Sequence, residues 1–443
     1  MNIAELSKIY KESGIVGAGG AGFPSYAKLN EKAETLLLNC AECEPLLRLH
    51  RQLLASAARE IMEAFETTRA ALGAKEGILC LKEHYTDAIA AVEAELGDFP
   101  NLRLCKLQAV YPAGDEVVMI YEATGKVVRP GGLPIEVGVV VYNVETMYNA
   151  YFALHGKPTT SKLVTIAGEV ANPVTVRLPI GTYVKDAIAF AGGEKINDGV
   201  YWLGGPMMGI VASGNTPITK TTNSIFVLPP EHYLLNRLHS DPKIEIARAA
   251  ASCCQCQLCT DLCPRHNLGH PIEPHKIMRA AACNDFKDVN AFKNTFYCCS
   301  CGVCEMYACP QGLSPRKLIN LVKGGLRANG VKPDSGVTAS DVDKNREYRK
   351  VPVNRLIARL NVGKYEAEAP LDNKVKETSE VKILTSQHIG AAALPCVKQG
   401  DFVKTGEVVA RAGDGLSVNI HSSIDGLVTD VTDKFITIRA SRG

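Results

Sequence analysis

The chain has almost no tryptophan, little net charge and no long hydrophobic run. One tryptophan occurs in 443 residues, and 49 Lys and Arg nearly balance 47 Asp and Glu, for a formal net charge of +2. This balance excludes the strongly basic surface that is typical of nucleic-acid-binding proteins. The longest apolar stretch, Val137 to Val144, is far shorter than the roughly 20 residues of a membrane span, so we expect no transmembrane segment.

The amino-terminal residues also lack the pattern of an export signal. Residues 1–10 have no basic start followed by an apolar core, so we expect a cytoplasmic protein. Hydrophobic residues make up 46% of the chain and charged residues 22%, which is typical of globular proteins. A length of 443 residues suggests about three domains.

Cysteine, by contrast, is abundant and clustered. The chain has 16 cysteines, and ten of them fall in two short runs, 253–263 and 298–309. In a reducing cytoplasm, such clustering indicates metal or redox chemistry rather than disulfide bonds.

The two runs share the spacing C-x-x-C-x-x-C, then a longer gap, then Cys-Pro, which is the bacterial ferredoxin signature for [4Fe-4S] clusters. The first run supplies Cys253, Cys256, Cys259 and Cys263, and the second, with one extra residue before its last member, supplies Cys298, Cys301, Cys304 and Cys309. We expect each fourth cysteine to begin a helix, because the proline after it fits the first helical turn.

In two-cluster ferredoxins, the fourth cysteine of each run ligates the cluster of the other run. The pattern therefore predicts one cluster on Cys253, Cys256, Cys259 and Cys309, and another on Cys298, Cys301, Cys304 and Cys263. Zinc knuckles are the alternative, since C-x-x-C pairs also bind zinc, but two runs closed by Cys-Pro are poor zinc patterns. We interpret Cys254 and Cys299 as non-ligands, because each would break the C-x-x-C step.

A glycine-rich loop lies near the amino terminus, in the segment GIVGAGGAGFPSYAKL. Four glycines fall between positions 17 and 22. Glycine lets backbone amides approach a phosphate closely, and a following helix would add its dipole. Taken alone, the loop equally fits a tight turn, since no clean apolar strand precedes it.

The segments after this loop alternate between short apolar strands and helices, which indicates an α/β domain. Seven polar residues fall at the carboxyl ends of the predicted strands, where open α/β sheets bind ligands. They are Asn39, Glu42, Glu44, Asp115, Glu116, Asn143 and Thr146. Any single one of these residues could equally be a solvated loop residue. The occurrence of all seven at strand ends favours a ligand-binding site.

Five motifs in fixed order carry a more specific signal: GAGGAGFP, AECEP, YPAGDE, RPGGLP and NVET. Together they resemble the flavin domain shared by the NADH-oxidising flavoprotein subunit of respiratory complex I, the C subunit of the Rnf complex and the cobalamin reductase of propanediol-utilisation microcompartments. The resemblance implies non-covalent FMN, with NADH as electron donor. It places at the flavin Gly17, Gly19, Gly20, Ala21, Gly22, Lys28, Asn39, Glu42, Asp115, Glu116, Asn143 and Thr146. It places near the nicotinamide Phe23 and Glu44.

Two further modules resemble parts of the same families. Residues 163–193 are similar to the β-grasp module that follows the flavin domain, and residues 382–440 resemble a lipoyl-type barrel-sandwich fold. A carrier domain of that type needs a lysine at its hairpin tip, and the tip at 422–426 has none. We therefore expect this domain to be structural or to serve in docking. Residues 330–380 are polar. We interpret their basic stretch, Arg346, Arg349, Lys350 and Arg355, as a solvated face, with a partner contact as the alternative.

The expected fold is multidomain α/β and α+β. It comprises a Rossmann-like FMN/NADH-binding domain (1–158), a β-grasp, SLBB-like module (159–235), a two-[4Fe-4S] ferredoxin-like domain (245–328), a linker (329–380) and a barrel-sandwich domain (381–443). The Rnf C subunit carries its barrel-sandwich piece before the flavin domain, whereas here it follows the ferredoxin domain. This order resembles the cobalamin reductase family over nearly the whole chain.

That resemblance implies an oxidoreductase that passes electrons from NADH through FMN and two [4Fe-4S] clusters to cobalamin. The implied partners are NADH, cobalamin or a corrinoid-handling enzyme, and shell or cargo proteins of a bacterial microcompartment, inside which the protein would be located. The alternative is an electron-relay subunit of a membrane complex, like the Rnf C subunit, without cobalamin reduction. A scaffold with a degenerate flavin site is a third hypothesis.

Overall fold

The structure is a computed structural model that describes residues 1–283, 285 and 287–441. The elements of its first domain are, in chain order, α1 (Ile3–Glu12), β1 (Thr35–Cys40), α2 (Leu49–Ser56), α3 (Ala58–Leu72), β2 (Glu76–Lys82), α4 (Thr86–Glu95), β3 (Leu102–Leu107), β4 (Val110–Tyr111), α5 (Glu116–Thr124), β5 (Val139–Asn143) and α6 (Val144–Leu154).

Four strands of this domain form a parallel sheet in the order β3-β2-β1-β5. Helices cover both faces: alternate strand residues pack with α2, α3 and α6 on one side and with α5 on the other. A parallel sheet buried on both faces needs apolar strands, and residues 36–38 of β1 are fully buried leucines. Asn39 and Asn143 are register partners at the carboxyl ends of β1 and β5, so the expected ligand edge of the sheet exists.

The second domain is a mixed sheet with one helix over its core. Its elements are β6 (Ser161–Gly168), β7 (Val174–Pro179), α7 (Val184–Ala189), β8 (Val200–Leu203), β9 (Ile210–Ala212) and β10 (Ser224–Leu228). The strand order is β7-β6-β10-β8-β9.

The third domain is helical and has a small core of its own. Its helices are α8 (Tyr233–His239), α9 (Pro242–Ser252), α10 (Leu258–Asp261), α11 (Pro274–Cys283), α12 (Val289–Lys293) and α13 (Pro315–Ala328). The expectation that each fourth cysteine begins a helix is wrong, because α11 and α13 begin only at Pro274 and Pro315. Left-handed glycines, Gly269 (φ 82°) and Gly312 (φ 61°), interrupt the chain between each Cys-Pro and the following helix.

The segment expected as a linker carries β11 (Val351–Pro352), α14 (Val353–Arg359) and β12 (Leu371–Val375). Strand β11 pairs with β4 of the first domain, and β12 adds a parallel strand beside β7 of the second. Most of the basic stretch is not a solvated face: Arg346 is buried and donates to Glu122 at 2.5 Å, and Arg349 donates to Asp343 at 2.7 Å, whereas Arg355 is exposed. This segment therefore ties two domains together.

The last domain consists of two small sheets around one apolar core, with strand orders β13-β19-β18-β15 and β14-β16-β17. The strands are β13 (Glu380–Leu384), β14 (Leu394–Pro395), β15 (Phe402–Val403), β16 (Val408–Arg411), β17 (Ile420–His421), β18 (Gly426–Val431) and β19 (Phe435–Ala440). Its hairpin tip is docked rather than exposed, because the Ser423 hydroxyl donates to the Ile180 carbonyl at 2.6 Å. Within the described residues, no helix is long and apolar enough to cross a membrane.

Candidate cofactor-binding sites

The glycine-rich loop lies over the carboxyl end of β5. The Ala18 amide donates to the Thr146 hydroxyl at 3.0 Å, and a Cβ at Gly19 would stand 2.6 Å from the Asn143 amide nitrogen. A side chain at position 19 would therefore have to displace the Asn143 side chain. A Cβ at Gly20 would meet no atom within 4 Å, so this part of the loop borders open space.

The acidic loop of the YPAGDE motif packs against the loop that follows β1. Asn39 donates to the Gly114 carbonyl at 2.9 Å, and a Cβ at Gly114 would collide with the Ala41 carbonyl. Asp115 caps α5 by accepting two backbone amides, those of Val117 and Val118. Four of the five motifs, which are far apart in the chain, thus meet at one edge of the sheet: GAGGAGFP, AECEP, YPAGDE and NVET.

A groove of about 250 Å³ opens beside the loop and contains three of the predicted residues, Phe23, Lys28 and Glu116. The Lys28 ammonium donates to the Val141 carbonyl at 2.9 Å and lies 3.4 Å from the Glu116 carboxylate. Glu42 is held differently: its carboxylate accepts the His50 amide at 2.9 Å, in the first turn of α2. Its charge therefore stabilises that helix end.

Glu44 lies at the junction of three domains. Its Oε2 accepts the Met207 amide from the second domain at 2.7 Å, and Arg316 of the third domain acts on its charge. Burial raises the pKa of Glu44 to about 7, against the smaller lowering effects of the Met207 amide and Arg316.

A buried charge network beneath the site was not expected from the sequence. The Lys162 ammonium donates to the Glu145 carboxylate, both being almost completely buried, and His50 Nε2 lies 3.8 Å from Glu145. Burial alone would raise the pKa of Glu145, but Lys162 and His50 lower it to about 2. The NVET motif therefore contributes Asn143 and Thr146 to the ligand edge and Glu145 to the interface with β6.

The first predicted cysteine quartet is brought together around one small cavity. The pKa of Cys259 is raised to about 12, first by burial and then by three neighbouring thiols, those of Cys309, Cys256 and Cys253. The fourth cysteine of the second run thus lies with the first three of the first run. The amide of Leu313 points at the Cys309 sulfur, 3.3 Å away.

The second quartet is also brought together. Burial raises the pKa of Cys304, and the nearby thiols of Cys298 and Cys263 raise it further. A hydrogen bond to Cys299 comes first among the causes that raise the pKa of Cys301, followed by burial and by Cys263 and Cys304. Cys254 and Cys299 lie beside these quartets, next to Cys256 and Cys301 respectively.

The two cysteine loops have the same backbone conformation. Left-handed residues occur two and four positions after the first cysteine of each run, at Gln255 and Gln257 and at Ser300 and Gly302. The one extra residue of the second run is accommodated by a π-helical turn at Cys304–Ala308, where the first run has the short helix α10. The repeat therefore extends from sequence to structure.

Comparison with known proteins shows four matching domain families along the chain. The Nuo51 FMN-binding domain matches residues 10–151, the SLBB domain 163–211, the 4Fe-4S dicluster domain 252–314 and the RnfC barrel sandwich hybrid domain 360–441. Cobalamin reductase PduS of Citrobacter freundii is 41% identical, covering 97% of this chain and 95% of its own. Cobalamin reductase PduS of Salmonella typhimurium is 40% identical, with 98% and 96% covered.

The chain belongs to the cobalamin reductase PduS family. A second kind of relative, the C subunit of the Na(+)-translocating ferredoxin:NAD(+) oxidoreductase complex of Acetobacterium woodii, is 32% identical over 60% of this chain and 59% of its own. A crystal structure of NAD+-reducing [NiFe]-hydrogenase in the H2-reduced state matches 75% of this chain and 64% of that chain at 20% identity, with a TM-score of 0.48.

The residues of this PduS family member fit the cofactors of its matched domains, FMN and [4Fe-4S] clusters. For FMN, the open space at Gly20 and the groove beside Lys28 provide room and positive charge. For the clusters, the fold brings together two groups of four thiols, the first around a small cavity, and backbone amides point at Cys298 and Cys309. Among the described residues, no group of three or more His, Cys, Asp or Glu side chains is arranged to hold a single metal ion.

Proposed function

We propose that the chain is an NADH-dependent oxidoreductase that delivers single electrons to a corrinoid. When bound, FMN converts a two-electron hydride donor into a one-electron source, and [4Fe-4S] clusters conduct the single electrons. The observation that carries the proposal is the contact between the flavin motif and a cysteine loop: the Tyr111 hydroxyl donates to the Cys301 carbonyl at 2.6 Å. Membership of the cobalamin reductase PduS family supports the corrinoid as acceptor.

The protein's own residues bind and orient. We assign the loop amides of 17–22 and the Lys28 ammonium to the flavin phosphate, since both provide positive charge at the groove. Asn39, Asp115, Glu116, Asn143 and Thr146 line the adjoining sheet edge, with Glu42 as a supporting helix cap. Phe23 and Glu44 are assigned to the nicotinamide side.

The cluster ligands are proposed as the two quartets that the fold brings together. They are Cys253, Cys256, Cys259 and Cys309, and Cys298, Cys301, Cys304 and Cys263. Replacing a ligand should remove one cluster, whereas replacing its neighbour should not. We expect iron analysis of Cys256→Ala to fall by about four irons per chain and that of Cys254→Ala to stay at the wild-type value. Loss of iron from Cys254→Ala would show that the ligand register is wrong.

The resemblance also supports encapsulation in a bacterial microcompartment, with shell or cargo proteins as neighbours. This location is a proposal about the cell rather than the fold. Fluorescence microscopy of the tagged chain, with and without shell genes, tests it. Puncta that depend on the shell genes are expected, and diffuse fluorescence in both strains would contradict encapsulation.

Anaerobic titration of the reconstituted protein with NADH tests the proposed activity. Optical spectra follow the flavin and EPR follows the clusters, with and without cobalamin. Bleaching of flavin and clusters followed by reduction of cobalamin is the expected result. Bleaching without cobalamin reduction would favour the alternative, an electron relay like the Rnf C subunit, which the 32% identity to the Acetobacterium woodii relative supports. No bleaching, with flavin bound, would contradict NADH as donor.

A further inference from the structure

The two cysteine quartets have different surroundings. The quartet of Cys298, Cys301, Cys304 and Cys263 lies against the flavin domain, and we name it the inner quartet. Besides the hydrogen bond from Tyr111 to Cys301, the Cys301 side chain packs on the main apolar core of the flavin domain, together with Val303 and Met306. The inner loop is therefore joined to the flavin domain by both apolar packing and a hydrogen bond.

A second link joins the inner quartet to the flavin motif through a charge pair. Arg265 donates to the Asp115 carboxylate at 2.9 Å, and both side chains are largely buried. The same guanidinium lies close enough to the Cys299 thiol, next to Cys298, for the two groups to interact electrostatically. Asp115 is also the cap of α5 at the ligand edge of the sheet. One side chain thus spans from the proposed flavin edge to the inner cysteine loop.

The other quartet, Cys253, Cys256, Cys259 and Cys309, is named the outer quartet. Cys253 and Cys309 pack in a core formed only by residues 249–319, which contains no flavin-domain residue and is bordered by Cys298 as the one inner-quartet member. Cys256 is exposed, and so are its neighbours Gln257 and Leu258. The helix that leads into this loop, α9, is exposed over most of its length, with only Glu245 and Ala249 buried. The outer loop is therefore exposed to solvent, whereas the inner loop is packed against the flavin domain.

We propose that the inner quartet receives electrons from the flavin site and that the outer quartet delivers them to the acceptor at the exposed loop around Gln257. This order rests on the proposed function. Each NADH is oxidised to NAD+ by loss of a hydride, which carries two electrons and one proton. The proton goes to solvent, and the two electrons pass one at a time from the inner to the outer cluster. Each electron lowers the cobalt of one corrinoid by one oxidation state.

Two single variants of the full chain test the order. Cys301→Ala removes an inner ligand and Cys256→Ala an outer ligand, with Cys283→Ala, an exposed cysteine outside both quartets, as the matched control. Each protein is first shown by iron analysis and by dithionite-reduced EPR to hold its remaining cluster. The Cys→Ser versions serve where an alanine variant loses both clusters. Rapid-freeze EPR then follows reduction of the remaining cluster by NADH.

We expect NADH to reduce the inner cluster of Cys256→Ala at the wild-type rate, with cobalamin reduction lost. In Cys301→Ala, we expect reduction of the outer cluster to slow by at least about tenfold, although dithionite still reduces it fully. The reverse pattern would overturn the order. If NADH fails to reduce even the wild-type protein, the proposed donor is wrong. Photoreduction of the flavin then supplies the electrons, and the order is judged on the same two variants.

A variant that keeps both clusters gives an independent test. Tyr111→Phe deletes the hydroxyl that donates to Cys301. Its effect should be confined to one EPR signal, that of the cluster reduced first. A change confined to the cluster reduced last would place Tyr111 beside the exit cluster and overturn the proposal. The Tyr121→Phe variant, on α5 and away from the cysteine loops, is the matched control and should leave both signals unchanged.

Discussion

The protonation of Glu44 depends on how the domains meet. Its carboxylate accepts one amide from the second domain, while its Oε1 is buried without a hydrogen-bond partner in the described part of the chain. A Cβ at Gly205 would collide with the Glu44 side chain, so the 204–209 turn packs directly against it. The raised pKa is therefore a property of the assembled domains and not of the AECEP motif alone.

Glu44→Gln should change the pH dependence of stability. The pKa of Glu44 rises from 4.5 to about 7 on folding, so the folded protein holds this proton over a window in which the unfolded chain has released it. The free energy of unfolding should therefore fall as pH rises through that window. Gln does not titrate, so the melting temperature of the variant relative to that of the wild type should be higher at about pH 8 than at about pH 5. The exposed Glu31→Gln variant is the control, and an equal difference at both pH values for Glu44→Gln would contradict the expectation.

Alanine substitutions at two glycines of the phosphate loop should have different effects, one on stability and one on FMN binding. Gly22 has φ 75°, and its Cβ would stand 3.0 Å from the Gln387 carbonyl of the last domain. We expect Gly22→Ala to lower the free energy of unfolding by about 1–2 kcal/mol, as measured by urea denaturation. Gly20→Ala faces open space, so it should leave stability unchanged while weakening FMN binding in a fluorescence titration. Unchanged FMN affinity in Gly20→Ala would show that the loop does not cradle the phosphate.

At the scale of elements, α6 and β6 are joined by the buried pair of Glu145 and Lys162. Lys162→Met would leave the Glu145 carboxylate buried with its main counter-charge removed. We expect a loss of about 3–5 kcal/mol in the free energy of unfolding. The double variant Lys162→Met, Glu145→Gln removes both charges, so it should recover part of this loss, as measured by denaturant titration. A double variant less stable than the single one would contradict the pairing.

Elements with strong local signals were predictable from sequence, and those made by tertiary contacts were not. The strands of the parallel sheet are apolar because helices cover both faces, and the cysteine spacing indicates both quartets because each C-x-x-C step follows a local turn. Strand β11 is two residues long and carries no apolar run, so its pairing with β4 has no local cause. The partners Glu145 and Lys162 lie in different domains, and the residues that flank each of them in the sequence do not predict a buried charge.

At the scale of the whole molecule, three domains converge on Lys220. Its ammonium donates to the Gly14 carbonyl of the first domain at 2.7 Å, and its backbone amide donates to Gln387 of the last domain. Burial lowers the pKa of Lys220 to about 7. Burial also lowers the pKa of the nearby His421 to about 3. Near neutral pH, the junction therefore holds His421 neutral and Lys220 only partly protonated.

Lys220→Met should flatten the stability profile at alkaline pH. The pKa of Lys220 falls from 10.5 in the unfolded chain to about 7 in the folded protein, so the unfolded chain binds more protons within that window. The wild type should therefore gain stability as pH rises through it, and Lys220→Met should not. Thermal melts at about pH 7 and about pH 10 measure the difference, with the exposed Lys398→Met as control. Parallel profiles for wild type and Lys220→Met would show that Lys220 stays charged in the fold.

The packing of the last domain on the glycine-rich loop has a consequence for synthesis. The loop at 17–22 leaves the ribosome well before the groups that border it, which belong to the barrel-sandwich domain. The Ser417 amide donates to the Tyr26 hydroxyl across 391 positions, and Gln387 borders Gly22. Because domains fold largely in order of synthesis, the loop emerges long before its enclosure is complete. We therefore expect cofactor loading to follow folding of the barrel-sandwich domain, since a chain stalled before that domain would carry its flavin motif without these neighbouring groups.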